Sequence, residues 1–437
     1  MLQRFLKDCR GGVAPMFAIA AIPLIGAMGA AIDYSHAASV RTQLLAAADA
    51  ASVGSVRKSS AALAAAANML TDGPIAAGSA EATKIFNAEL TGQKGYTLTN
   101  VVATVTKTGT NITSAVNFTA SVPTSFMGLF GITSVPIAGT STAANSQPLF
   151  VDFYLLLDNT PSMGVGATTS DITTMVNNTS DKCAFACHDL SNANSYYNLA
   201  KSLGVTMRID VLRTATQQLM DTAKATAAYA NQFRMAIYTF GSSAQNPGLT
   251  AIQSLTSNLT TAKTSAAAID LMTVPYQNYA GDTDTNFGDV LGDVSSAIPL
   301  PGDGATALTP LKYLFFVSDG VGDRVNGAPG CPQPITQSGD PQTGKNYVRC
   351  QEPLDVSLCT TIKNRGIKIA VLYTTYLPLP TNAWYNTWIA PFSGQIAVNM
   401  QSCASPGLYF EVGPNQGISE AMNALFQKAV AQARLTH

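Results

Sequence analysis

Asp158, Thr160 and Ser162 place one carboxylate and two hydroxyls at alternate positions of a short segment. All three are hard oxygen donors, and Mg²⁺ takes such ligands in a near-octahedral shell while keeping some of its waters. The residues before them, Val151-Asp-Phe-Tyr-Leu-Leu-Leu157, form an apolar run of the kind buried in a parallel sheet. The donors therefore stand where a strand hands over to a loop. In open α/β sheets, ligands collect in the crevice beyond the carboxyl ends of the strands. On their own these residues fit a plain loop equally well, because Asp, Thr and Ser favour turns. Two later segments favour a site. Thr285 lies in a polar loop that leads into a helical pattern, and Asp319 ends a second apolar run, Tyr313-Leu-Phe-Phe-Val-Ser.

This order of residues resembles the metal-ion-dependent adhesion site of von Willebrand factor type A domains. The pattern there is Asp-x-Ser-x-Ser, then a distant Thr, then a distant Asp after a strand. Thr160 stands where the pattern has Ser; it keeps a hydroxyl and adds a methyl that crowds the site. The resemblance implies a metal held by Asp158, Thr160, Ser162, Thr285 and Asp319: Mg²⁺, with Mn²⁺ or Ca²⁺ as substitutes. It also implies that a partner protein's carboxylate completes the shell and that nothing is catalysed. Asp282, Asp284, Asp289 and Asp293 cluster near Thr285 and raise the alternative of a second, Ca²⁺-type site. For Asp289 and Asp293 the expectation is a solvated helix start, where acidic side chains suit the dipole.

Other chemistries find little support. The histidines are His36, His188 and His437, and none is placed to serve Ser162 as a base. No phosphate-binding Gly-x-x-x-x-Gly-Lys-[Ser/Thr] loop is present. A metal-dependent hydrolase and a small-molecule substrate are therefore not expected. With a net charge of −1 and 12% charged residues, the chain has no basic patch for nucleic acid.

The elements that would carry these residues alternate. Strands are expected at Phe150–Leu157, Arg234–Phe240, Tyr313–Ser318, Ile367–Thr374 and Leu408–Val412. Helices are expected at Arg208–Ala230, Ser257–Leu271, Phe287–Ile298, Leu354–Arg365 and Ile418–Leu435. Such alternation implies an α/β fold, a doubly wound and mainly parallel sheet with helices on both faces. By the resemblance, residues 149–437 form a von Willebrand type A (Rossmann-like) domain.

The N-terminal third is different. Residues 1–12 are basic, with Arg4, Lys7 and Arg10, and Val13 to Ile32 carries no charge. A helix of that length spans about 30 Å, the thickness of a hydrocarbon core. The positive-inside rule puts the N-terminus in the cytoplasm and the remainder outside, which in a bacterium is the periplasm. A cleavable signal peptide is the alternative, with small residues at 27–31 for a peptidase. An anchor is expected instead, because the apolar run is long and the helical pattern continues through Val40, Leu44, Leu45 and Ala48. Residues 33–70 read as Ala-rich helix. Residues 93–146 alternate β-branched and polar positions and read as strands. Together, 33–146 form a small α+β, β-rich region.

Arg10-Gly-Gly-Val-Ala-Pro-Met-Phe-Ala, then Ala-Ile-Asp-Tyr and the Ala-rich stretch at 44–51, resembles the N-terminus of TadG-like proteins of tight-adherence (Flp-type) pilus systems. Related pseudopilins carry Glu five residues after a processing glycine. Met16 or Phe17 stands there in this chain, so prepilin-type cleavage is not expected. The resemblance implies a single-pass inner-membrane protein with its C-terminal domain in the periplasm. It would serve assembly or anchoring of a tight-adherence pilus through pilus assembly components or pilin. The alternative is a minor pilin-like subunit or adhesin at the cell surface.

Cysteines agree with export. Cys183, Cys187, Cys331, Cys350, Cys359 and Cys403 all follow the apolar segment, and an even number in an oxidising compartment suits disulfides. Cys183-Ala-Phe-Ala-Cys187-His188 is one residue longer than a haem-attachment motif and has metal-binding side chains. A local disulfide is the expectation there, and a second one closing the Cys331–Cys350 loop. Sequence leaves the remaining connectivity open.

Overall fold

In a computed structural model the described residues are 13–435, except 229, 277–278, 282, 326–330, 338, 341, 377, 380–381 and 414–416. The chain divides into two compact units, Met1–Gln147 and Pro148–His437.

The first unit is built on one helix, Val13–Val56. Its two halves differ in kind. Along 13–32 the large apolar side chains, among them Ile19, Ile22, Ile25 and Met28, are exposed. This helix is long and apolar enough to cross a membrane. From Asp33 onward one face is buried: Asp33, Ala37, Val40, Leu44, Ala47, Ala48 and Ala51 recur at helical spacing. That face packs on an antiparallel sheet of β1 (Gly73–Pro74), β2 (Thr97–Thr108), β3 (Asn111–Pro123) and β4 (Ser134–Ser146), in that order. Gly139 allows close approach, since a Cβ there would lie 2.5 Å from the Phe118 ring and 2.7 Å from Leu45. The helix expected to run to residue 70 instead stops at Val56. Ser60 then accepts a hydrogen bond from Leu63 N–H and caps a separate helix, Ala61–Ala66. A further helix, Ala76–Glu89, buries Ala82 and Phe86.

The second unit holds the expected doubly wound sheet. Its strands are β5 (Val151–Leu157), β6 (His188–Asp189), β7 (Phe233–Ser243), β8 (Asn246–Thr256), β9 (Thr273–Val274), β10 (Leu311–Ser318), β14 (Lys368–Thr374) and β15 (Tyr409–Val412). The spatial order is β15-β14-β10-β5-β7-β9-β6, all parallel, with β8 antiparallel on β7. A small antiparallel sheet, β11 (Val321–Val325), β12 (Gln333–Gln337) and β13 (Tyr347–Pro353), follows β10.

Alternation along β5 supplies two cores. Val151, Phe153, Leu155 and Leu157 meet the Arg208–Thr226 and Ile418–Leu435 helices, with Phe153 and Phe426 rings 5.1 Å apart. Tyr154 and Leu156 meet the Phe287–Ala297, Val356–Asn364 and Ser393–Cys403 helices. Two helices are shorter than expected. The Arg208 helix ends at Thr226, and the one expected at Ser257–Leu271 is Leu259–Ala266, because the chain then descends toward β9 and Met272 N–H binds Asn159 O.

Two disulfides form, Cys331–Cys350 and Cys359–Cys403. The expected Cys183–Cys187 bridge does not; both residues carry thiols. Phe185 pairs with Val165, and Ala186 N–H donates to Gly164 O. These bonds hold the segment along its neighbour instead of letting it close on itself. The Cys183 thiol points to Phe185 O at 3.7 Å.

Candidate metal centre

The chain runs from β5 to β7 on one side and from β10 to β14 on the other. The strand order therefore reverses between β5 and β10, and in open α/β sheets the ligand crevice opens at such a switch point. Asp158 is the first residue after β5 and Asp319 the first after β10. The two strands are in register, Leu157 opposite Val317, and Asp158 N–H donates to Val317 O at 2.9 Å. Parallel pairing thus delivers both carboxylates to one end of the sheet.

Both are wholly buried. Asp158 is well satisfied: Oδ1 accepts from Thr160 N–H at 3.0 Å and Thr160 Oγ1 at 2.7 Å, and Oδ2 accepts from Ser318 Oγ at 2.6 Å. Thr160 Oγ1 stands 3.2 Å from Ser162 Oγ. Asp319 is less so. Its Oδ1 accepts from Val321 N–H at 3.2 Å. Its Oδ2 makes no well-formed hydrogen bond with a described group, although Ser162 stands near enough to favour its charge. Burial first, and then the Asp158 charge, push the Asp319 carboxyl up to about 7. Burial also raises Asp158 against the pull of its hydrogen bonds from Ser318 and Thr160.

Arg208 is the one positive charge that acts on Asp319 among the causes of its shift. It opens the Arg208–Thr226 helix, is buried, and donates to Thr375 O at 2.8 Å. The buried Asp319 carboxylate thus feels both the Asp158 charge and the Arg208 guanidinium. Neither Arg208 nor Ser318 stands out in the sequence. Ser318 is two residues past Phe316 in an apolar run, which could have flagged it; the pairing of Arg208 with Asp319 spans a long stretch of chain and leaves no local signal.

Asn159 fixes the loop. Its side chain binds Gly241 O at 2.8 Å, Asp270 O at 3.1 Å and Phe240 N–H at 3.0 Å, tying the end of β5 to the end of β7. Thr285 lines the same cleft as Ser162, and its carbonyl accepts from Asp323 N–H at 3.0 Å. The cleft measures about 300 Å³. Tyr276, Tyr279, Tyr376 and Trp384 line it, with Asp323 and Arg349 in an ion pair and the Arg349 guanidinium 5.0 Å over the Trp384 ring.

Of the other acidic candidates, Asp284 is buried next to Thr285. Asp289 and Asp293 are exposed on the Phe287–Ala297 helix, where Asn286 caps the first turn. Asp282 lies outside the described residues. His188 is engaged elsewhere, with Nδ1 3.0 Å from Leu271 O and its ring stacked 4.0 Å from Tyr197. Among the described residues no three His, Cys, Asp or Glu side chains gather as a metal cluster. The donor set at Asp158 is instead two carboxylates with hydroxyls. An orphaned buried carboxylate oxygen in an all-oxygen setting fits a hard divalent cation.

Residues 11–57 match the family described as "Putative Flp pilus-assembly TadE/G-like". The N-terminal segment is TadE/G-like. This segment covers the whole first helix, its exposed apolar half and its packed half. No curated protein matches the chain. Among solved structures, the von Willebrand domain of the type V pili tip protein Mfa5 from Porphyromonas gingivalis is 11% identical. It covers 66% of this chain and 97% of its own, with a TM-score of 0.37. The PilB minor pilin from Streptococcus sanguinis is 13% identical, covers 78% of each chain and has a TM-score of 0.35. Proximal thread matrix protein 1 from the mussel byssus, with a zinc-occupied MIDAS motif, is 12% identical. It covers 65% of this chain and 46% of its own, with a TM-score of 0.32.

Proposed function

We propose that this chain is a membrane-anchored, extracytoplasmic protein that serves assembly or anchoring of a tight-adherence pilus. Its second unit acts as a von Willebrand type A domain and binds a protein partner, a pilus assembly component or pilin, through a metal site. The TadE/G-like segment supports the pilus setting. One observation carries the site: Asp158 and Asp319, both buried at the switch point of the sheet, with an oxygen of Asp319 left without a well-formed hydrogen bond. Asp158, Thr160, Ser162, Thr285 and Asp319 would hold Mg²⁺, or Mn²⁺ or Ca²⁺ in its place. A bound cation supplies a Lewis-acidic point for a partner's carboxylate oxygen. The chain's own residues do the rest: Thr160 and Ser318 orient Asp158, and Asn159 keeps the loop against β7. The reading is adhesion without catalysis. The apolar helix and the basic residues before it support an inner-membrane anchor with the chain from residue 33 onward in the periplasm.

Calorimetric titration of the full chain in detergent with Mg²⁺ and with Mn²⁺ tests this reading. Binding that disappears in Asp158→Ala and Asp319→Ala supports it; binding that survives in both, or none in the wild type, overturns the metal site. A second reading, a minor pilin-like subunit or surface adhesin, draws on the same helix, since its exposed apolar half would also pack in a fibre. Retention in the inner-membrane fraction favours assembly or anchoring, and recovery in sheared surface fibres favours the subunit.

A further inference from the structure

The turn between β3 and β4 is unusual for an exposed loop. Phe126, Leu129, Phe130 and Ile132 are all exposed, Leu129 by 84%. No Asp, Glu, Lys or Arg occurs anywhere from 108 to 151. The loop is nonetheless well ordered. A 3-10 turn spans Met127–Phe130, Ile132 N–H returns to Met127 O at 3.1 Å, and Thr124 N–H bonds Thr133 O at 3.1 Å.

Its position gives the exposure a meaning. The loop runs along the first helix toward the N-terminus of that helix. Phe126 packs on Gly29, where a Cβ would stand 2.5 Å from Phe126 Cβ. Phe130 packs on Gly26, where a Cβ would stand 2.9 Å from the ring tip. Gly26 and Gly29 belong to the charge-free stretch 13–32. Asp33 lies seven positions after Gly26, about 10 Å along a helix axis. The loop therefore overlaps the last two turns of the membrane-length segment.

Asp33 is the first charge after that stretch, and the loop takes it up. Asp33 Oδ1 accepts from Ser125 N–H at 2.9 Å; Oδ2 accepts from Phe126 N–H at 2.9 Å and Met127 N–H at 2.7 Å. The carboxylate is 5% exposed. One set of bonds thus satisfies both a carboxylate at the edge of the bilayer and three backbone donors of a loop that has few other polar partners there.

We propose that residues 124–133 form a second membrane contact, a wedge that enters the lipid interface beside the first helix and is latched to it by Asp33. The occupant of the exposed apolar surface is lipid: the surface is uncharged and continuous with the apolar face of the helix. Exposed Phe and Leu at that level gain free energy from the acyl boundary as an interfacial segment does. A wedge would fix the tilt and rotation of the helix, which a lone span leaves open.

This proposal rests on the reading of the helix as a membrane span, and the experiment separates the two. The full chain is reconstituted into vesicles whose acyl chains are brominated, and Trp fluorescence is compared with that of the wild type. Added Trp is placed by Leu129→Trp in the loop, Ile22→Trp in the span and Leu70→Trp at the far end of the unit. Quenching is expected at 129 and 22 and absent at 70. Quenching at 22 without quenching at 129 overturns the wedge and leaves the span. A blue-shifted, unquenched Trp at 129 means that protein, such as a second copy, covers the loop, and also overturns it. No quenching at 22 overturns the span and the wedge with it. Asp33→Asn in the Leu129→Trp chain should lower the quenching at 129; unchanged quenching overturns the latch.

Discussion

Ser318 donates its hydroxyl to Asp158 Oδ2 at 2.6 Å, across the pair of strands that carries the two carboxylates of the candidate centre. With Thr160 on the other oxygen, Asp158 is held in a single orientation, while Asp319 keeps an oxygen to spare. The two therefore differ in what their loss should do. Asp319→Asn removes a charge that burial and Asp158 make unfavourable. Above pH 7 the metal-free chain should gain Tm by a few degrees, roughly the effect of 1 kcal/mol. Its Tm should also stop responding to Mg²⁺. Thermal unfolding with and without chelator reads both effects, and a lower metal-free Tm would count against the charge being unfavourable.

The same shift sets a pH dependence. An unfolded Asp loses its proton near about pH 4, whereas Asp319 in the fold is pushed up to about 7. Between those values the folded state holds more protons than the unfolded one, so metal-free stability falls as pH rises. Above 7 both states are ionised and the curve flattens. A cation must displace the Asp319 proton, so Mg²⁺ affinity should rise as pH increases toward about 7. Tm against pH in chelator and in excess Mg²⁺ should give curves that diverge as pH rises; parallel curves would rule out the coupling.

Thr160 tests the donor set directly. Its side chain is fully buried and its hydroxyl serves Asp158 Oδ1. Thr160→Val keeps the shape and removes the donor. It should cost about 1–3 kcal/mol of stability, as for a buried acceptor deprived of a partner, and abolish metal binding. Thr160→Ser keeps the hydroxyl and relieves the crowding by the methyl, so Mg²⁺ should bind more tightly than to the wild type. Equal affinity of all three chains in calorimetry would remove Thr160 from the site.

Much of this centre is legible because its parts are local. β5 and β10 announce themselves as apolar runs, and each is followed at once by a carboxylate of the candidate centre. The Ile418–Leu435 helix is also readable, from its 3.6-residue pattern. What escapes depends on distance. β8 was missed because an edge strand buries little; its residues are half-exposed and it begins Asn246-Pro247. The Ala76–Glu89 helix hides behind Gly78, whose lack of a side chain admits Ala62 and Val105 at 2.7 and 3.0 Å from where a Cβ would be. Arg208 is an arginine at a helix start until the fold brings Asp319 to it.

The cysteines give the last test. Spacing alone suggested that Cys183 and Cys187 close on each other, since residues four apart in an oxidising compartment have every opportunity. The structure holds their segment along Val165 and Gly164 instead, and both line the aromatic cleft beside Ser162. Burial raises the Cys183 thiol, with the Asp181 charge adding to it, so the reactive thiolate is scarce at neutral pH. Iodoacetamide without reductant should therefore label Cys183 slowly, and faster as pH rises; Cys187, also outside any disulfide, should take label too. Cys331, Cys350, Cys359 and Cys403 should label only after reduction. Peptide mapping distinguishes the cases, because a bridged 183–187 peptide is lighter by two hydrogens and takes no label. Such a peptide would show that the loop at the candidate centre rearranges on oxidation, and would reopen the geometry of Ser162 with it.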